Sequence, residues 1–165
     1  MTTTQLDTIV VGMGELQVSK DLHAVLTCLG LGSCIGFSSY DPVAKVAGMV
    51  HIVLPDSAGK TVVLPGKFAN TALPALIEDM EKLGAEKRRM LVKITGGAQM
   101  SLVAGSAGIF KTGERNLEAT EKSAVEHGLK IAAADVGGHS GRTLRLYVES
   151  GKVTVTTAGT ETIDL

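Results

Sequence analysis

The sequence has no tryptophan, and aromatic residues are only 3% of its 165 positions. That argues against a base-stacking platform for single-stranded nucleic acid. Charge of one sign is also missing. Sixteen Lys and Arg against seventeen Asp and Glu leave a net charge of −1, so no electrostatic field points to nucleic acid or an anionic membrane surface. Gly, His or Pro interrupts every apolar run before the roughly 18 residues a membrane-spanning helix needs. The opening MTTTQLDTIVVG has no basic stretch ahead of an apolar block, and no secretory signal is expected from it. Two cysteines cannot make a disulfide framework and are expected to stay thiols. The expectation is one cytoplasmic domain over 1–165, large enough to bury a core without staples.

Glycine, by contrast, is abundant. Of its twenty residues, eleven gather in GMG, GLGSC, the pair 96–97, GSAG and VGGHSG, without a fixed repeat. Such clusters mark tight turns or close backbone approach. Between them, period-two and apolar runs predict strands at 6–11, 23–31, 34–41, 46–55, 90–95 and 129–135, and in RTLRLYVES and KVTVTTA. The spacing of Ala72, Leu73, Leu76, Ile77, Met80 and Leu83 predicts a helix over 66–83, with Pro74 kinking it or marking its first turn. A second helix is expected from Glu114 to Glu126, capped by Thr112, with Leu117, Thr120, Ala124 and His127 inward. GGAQMSLVAGSAG reads as a long flexible segment. The sum is an α+β domain, with largely antiparallel strands and about two main helices.

Both cysteines fall in one stretch, TCLGLGSCIG, and His51 stands in the middle of an otherwise apolar strand. If PVAK closes a hairpin with Asp41 opposite Val46, Cys34 falls opposite Val53. His51 is then its diagonal neighbour on the same face, about 7–8 Å away at Cα. A one-residue slip would put the two on opposite faces. Such a pair suits thiol chemistry, because a free thiol is mostly protonated at neutral pH and an imidazole favours the thiolate. Gly30 and Gly32 allow a tight turn before Cys34, and the backbone N–H groups of Ser33 and Cys34 could face a developing oxyanion. An ordinary core histidine and a small apolar cysteine remain the plainer alternative.

GLGSC, DPVAKVAGMVHIVLPDS, ITGGAQM, GERN and DVGG, in this order and spacing over about 8–157, closely resemble the chemoreceptor glutamine deamidase family, CheD. The resemblance implies a layered α/β/β fold. The implied activity is hydrolysis of glutamine side chains on methyl-accepting chemotaxis receptors, giving glutamate and ammonia; some members also cleave receptor glutamate methyl esters. It assigns the nucleophile to Cys34 and the histidine to His51, and implies a partnership with the phosphatase CheC. No metal or organic cofactor is implied. The sequence departs from the family in one place: a threonine that helps hold the histidine is expected six residues before the nucleophile, where this chain has Cys28. Three readings are open. Cys28 stands in as a weak partner, a bulge brings Thr27 into place, or the third position acts through its backbone. The first is favoured, which makes Cys28 a third candidate site residue.

Rival readings carry less. A regulatory binding module acting through CheC would retain the fold without turnover, but retention of Cys34 and His51 argues against it. A metal site of Cys28, Cys34 and His51 lacks the short Cys spacing usual for structural zinc. A phosphate loop at GLGSC lacks the expected lysine and following helix. Arg115 and Asn116 of GERN have no role at this level beyond starting a helix.

Overall fold

The computed structural model describes residues 4–100 and 111–165. Ten strands form two five-stranded sheets. The first contains β1 (Asp7–Val10), β3 (Ala24–Leu31), β8 (Arg142–Tyr147), β9 (Val153–Thr157) and β10 (Thr162–Asp164), in the order β1-β3-β8-β9-β10. The second contains β2 (Leu16–Ser19), β4 (Ile35–Asp41), β5 (Val46–Ile52), β6 (Leu91–Gly96) and β7 (Ile131–Val136), in the order β2-β5-β4-β6-β7. Pairing is antiparallel except for β1 with β3 and β6 with β7. The architecture is the expected α+β class. β2 and β10 add short strands that the sequence pattern does not announce.

Two helices, α1 (Ala69–Lys82) and α2 (Thr112–Glu126), cover one face of the second sheet. Its other face packs on the first sheet, which gives helix, sheet and sheet in three layers. Strand alternation assigns side chains to these layers. Ile35, Phe37, Val46, Val50 and Ile52 face the helices with Leu73, Leu76 and Met80. Tyr40, Ala47 and Met49 face the other sheet with Leu26, Cys28, Leu144 and Leu146.

Helix α1 begins at Ala69, later than expected, because Pro65–Lys67 forms a separate 3-10 turn. Pro74 consequently lies inside the helix, past its first turn. In α2, Thr112 is the first helical residue and not the cap. Lys111 precedes it without a side-chain capping bond. The buried stripe of α2 is Gly113, Asn116, Thr120, Ser123 and Ala124, while Leu117 is only partly buried against the core. Most of GGAQMSLVAGSAG, from 101 to 110, lies outside the described residues.

The β4–β5 hairpin pairs without a register shift. Asp41 pairs with Val46 and Gly36 with His51. At its turn, Asp41 accepts from the amides of Val43, Ala44 and Glu86 and pairs with Arg89 at 2.9 Å. Burial alone would raise the carboxyl pKa of Asp41, but Arg89 and these amides more than offset it and hold it at about 2.

Candidate active site

The open end of the same hairpin brings Cys34 and His51 to one region. Continuing the observed register by one residue sets Cys34 opposite Val53, with His51 one diagonal step away. Both belong to the face between the sheets: Cys34 packs against the inter-sheet cluster and His51 is buried. Gly36, directly opposite His51, is a glycine for want of room. A Cβ there would come within 2.7 Å of Leu31 Cδ1 and 2.9 Å of Leu144 Cδ2.

The GMG cluster explains how His51 is held. The chain leaves β1 in one sheet and enters β2 in the other through Val11–Glu15, with Gly14 at a positive φ of 77°. This crossing wraps His51. Gly14 donates its amide to the His51 carbonyl at 2.9 Å, and His51 donates to Glu15 at 3.1 Å. Val11 is fully buried and receives the imidazole: His51 Nδ1 lies 3.1 Å from its carbonyl oxygen. A carbonyl only accepts, so Nδ1 carries the proton. That leaves Nε2 as the lone-pair nitrogen, buried and without a hydrogen-bond partner among the described residues.

Thr27 enters this arrangement through its backbone. Its carbonyl accepts the Val11 amide at 2.8 Å, so two hydrogen bonds, both accepted by main-chain carbonyls, link Thr27 through Val11 to the ring. Among the described residues, the Thr27 hydroxyl itself reaches only the Val25 carbonyl, at 3.4 Å. Strand β3 is irregular between Cys28 and Leu31, yet this does not turn the Thr27 side chain to the histidine. Cys28 is fully buried in the inter-sheet cluster. Neither ring nitrogen of His51 bonds to it.

Electrostatics favour neutral groups at rest. Burial pushes the Cys34 thiol pKa upward. Burial pushes the His51 pKa down, with the Val11 carbonyl and the Glu15 carboxylate opposing. Cys28 is raised further, by burial first and by proximity to Cys34 second. Cys34 is half-buried, and no hydrogen bond joins its thiol to His51 in the resting arrangement; a neutral imidazole with an unpartnered Nε2 on the same face is suited to accept a proton without a standing ion pair. Among the described residues, no three His, Cys, Asp or Glu side chains converge as a metal cluster.

Asn116, given no role in the sequence beyond starting a helix, has one in the structure. It is fully buried on α2, and its Nδ2 donates to the carbonyls of Ser33 and Val53, both at 2.9 Å. Those are the residue before Cys34 and the residue opposite it. Arg115, its exposed neighbour, makes no comparable contact among the described residues.

The fold is a three-layer domain with a half-buried cysteine and a buried histidine on its sheet–sheet face. Comparison with known proteins gives this arrangement a family. The profile described as CheD chemotactic sensory transduction matches residues 53–157; this span includes both helices and stops short of Cys34 and His51. Full-length relatives extend the likeness. A probable chemoreceptor glutamine deamidase CheD of Symbiobacterium thermophilum is 43% identical over 152 residues, covering 90% of this chain and 92% of its own. The chemoreceptor glutamine deamidase CheD of Thermotoga maritima is 43% identical, covering 91% and 92%. That of Halalkalibacterium halodurans is 42% identical, covering 92% and 94%. The chain belongs to the CheD family. A solved Neisseria meningitidis protein of the DUF152 family overlays with a TM-score of 0.48 at 9% identity, covering 81% of this chain and 64% of that one, a likeness too distant to support more.

Proposed function

We propose that this protein is a cytoplasmic glutamine deamidase of chemoreceptors, with the whole chain acting as one deamidase domain, Cys34 as nucleophile and His51 as its proton carrier. The observation that carries this reading is His51 itself. It is a buried imidazole whose Nδ1 is committed to Val11 while Nε2 is left free on the face it shares with Cys34. The names of relatives similar over most of the chain supply the substrate.

The reaction then runs in two acyl transfers. His51 Nε2 takes the thiol proton as Cys34 Sγ attacks the carboxamide carbon, and amides at Ser33 and Cys34 receive the oxyanion. The tetrahedral species collapses with cleavage of the C–N bond. The proton on Nε2 passes to the departing nitrogen, which leaves as ammonia. Water next attacks the thioester and gives its proton to Nε2, and the sulfur leaves and recovers that proton. The products are glutamate and free thiol. The low pKa of His51 suits the first step, because a base must be unprotonated at the start. A glutamate methyl ester follows the same route with methanol as leaving group. Cys28 is a buried neighbour of the nucleophile that leaves His51 to Val11, and no metal or organic cofactor enters any step. The CheC partnership implied by the family belongs to this reading as regulation of the same enzyme.

The test is mass analysis of a chemoreceptor cytoplasmic fragment after incubation with wild type and with Cys34→Ala, followed by peptide mapping. Wild type is expected to convert specific glutamines to glutamates, and Cys34→Ala to convert none. No conversion by wild type on receptors of the same organism, or equal conversion by both, contradicts the reading.

A further inference from the structure

The side chain of Asn116 meets the nucleophile's turn from behind, across 83 residues of sequence. Its orientation is unambiguous. Both neighbours are carbonyl oxygens, so only the NH2 group can face them. Its Oδ1 is buried and has no partner among the described residues. Asn116 therefore spends both its hydrogen bonds on Ser33 and Val53, and gains none for its own acceptor.

The consequence follows from peptide geometry. Ser33 C=O and Cys34 N–H belong to one planar trans peptide and point in opposite directions. Holding the carbonyl toward α2 holds the Cys34 N–H away from it. Neither the Ser33 nor the Cys34 amide donates to a backbone carbonyl among the described residues, so the donor is available. The other ties of the turn act on different peptide planes: Gly97 N–H donates to Cys34 O and Ala98 N–H to Gly32 O, each at 2.9 Å. Asn116 alone among the described side chains bonds the Ser33 carbonyl. Its second bond, to Val53, ties this plane to the strand that carries His51.

We infer that Asn116 is a positioning residue, which fixes the Ser33–Cys34 peptide so that the Cys34 N–H serves as oxyanion donor and which holds that turn in register with the His51 strand. This rests on Cys34 being the nucleophile of the proposed deamidation. Asn116 touches neither substrate nor sulfur. Its effect should fall on the step that builds negative charge on oxygen and spare the thiol's reaction with an alkylating agent, which builds none.

The test uses wild type, Cys34→Ala, Asn116→Ala and Asn116→Leu; leucine fills the volume and removes the donors. Two rates are measured: receptor deamidation over a range of substrate concentrations, and iodoacetamide alkylation of Cys34. Deleting an oxyanion donor outright costs about 10²–10³ in kcat, and losing its support is expected to cost at least about tenfold. KM and the alkylation rate should stay close to wild type. If Asn116→Ala does not fold, Asn116→Leu decides. An undiminished kcat in a folded variant overturns the inference. So does a change in KM alone, and so does an equal fall in deamidation and alkylation, which marks general loosening. Inactive wild type or a fully active Cys34→Ala overturns the functional reading first, and the positioning role with it.

Discussion

The two ends of the β4–β5 hairpin are built from the same two strands and treat polar groups in opposite ways. At the turn, Asp41 is fully buried, but its oxygens meet three amides and a guanidinium. At the open end, His51 is buried with one ring nitrogen held and the other left unpartnered among the described residues. A buried polar group without a partner costs on the order of 1–3 kcal/mol, so the second end gives up stability that the first secures. On the proposed reading, the difference separates a site built for stability from one built for reaction.

Exchanging roles between the ends is the way to break this comparison. The largest effect is expected at the open end. His51→Ala should lower receptor deamidation by about 10²–10⁴, the usual worth of a positioned proton carrier, read by the rate of glutamine conversion. At the turn, Arg89→Ala should leave Asp41 buried and charged without its cation. We expect a loss of stability in denaturant unfolding, limited by the three amides that still hold Asp41, with the Cys34 alkylation rate of the native protein unchanged. A turn-end variant that kills activity while sparing stability would erase the distinction.

Acid should sharpen it. Asp41 has a folded pKa of about 2, below its ordinary value of 3.8. Its contribution is therefore complete above 3.8 and lost as pH falls toward 2, a total of about 2 kcal/mol. His51 is also depressed, by burial first, so its contribution is complete above its ordinary 6.5 and declines as pH falls below that. Unfolding free energies measured from pH 7 downward should show the histidine's loss begin before the aspartate's. The smallest effect is expected from Cys28→Thr. Because Val11 already holds Nδ1, deamidation should change by less than about tenfold, or 1.4 kcal/mol; a larger gain would give the third position a side-chain role.

How much of this the sequence disclosed depends on whether a role belongs to a side chain. The hairpin register was legible because a short turn between two apolar runs leaves few ways to pair them, and Asp41 does lie opposite Val46. The layered fold was legible from strand alternation and the Leu73–Met80 stripe. β2 and β10 were not, because four and three residues without an apolar run are strands only through their neighbours. Val11 escaped because its contribution is a carbonyl, which every residue has. Asn116 escaped because its partners are distant in sequence, and GERN looks like nothing more than the start of a helix.

In the proposed reaction, the substrate acylates Cys34 with His51 as the base. Acid-quenching the enzyme during turnover on a receptor fragment and mapping the covalent species by mass tests it directly. A thioester on Cys34 is expected, at the mass of enzyme plus substrate less ammonia, absent from Cys34→Ala and strongly reduced in His51→Ala. Turnover by wild type with no species on Cys34, and continuing turnover by Cys34→Ala, would contradict it.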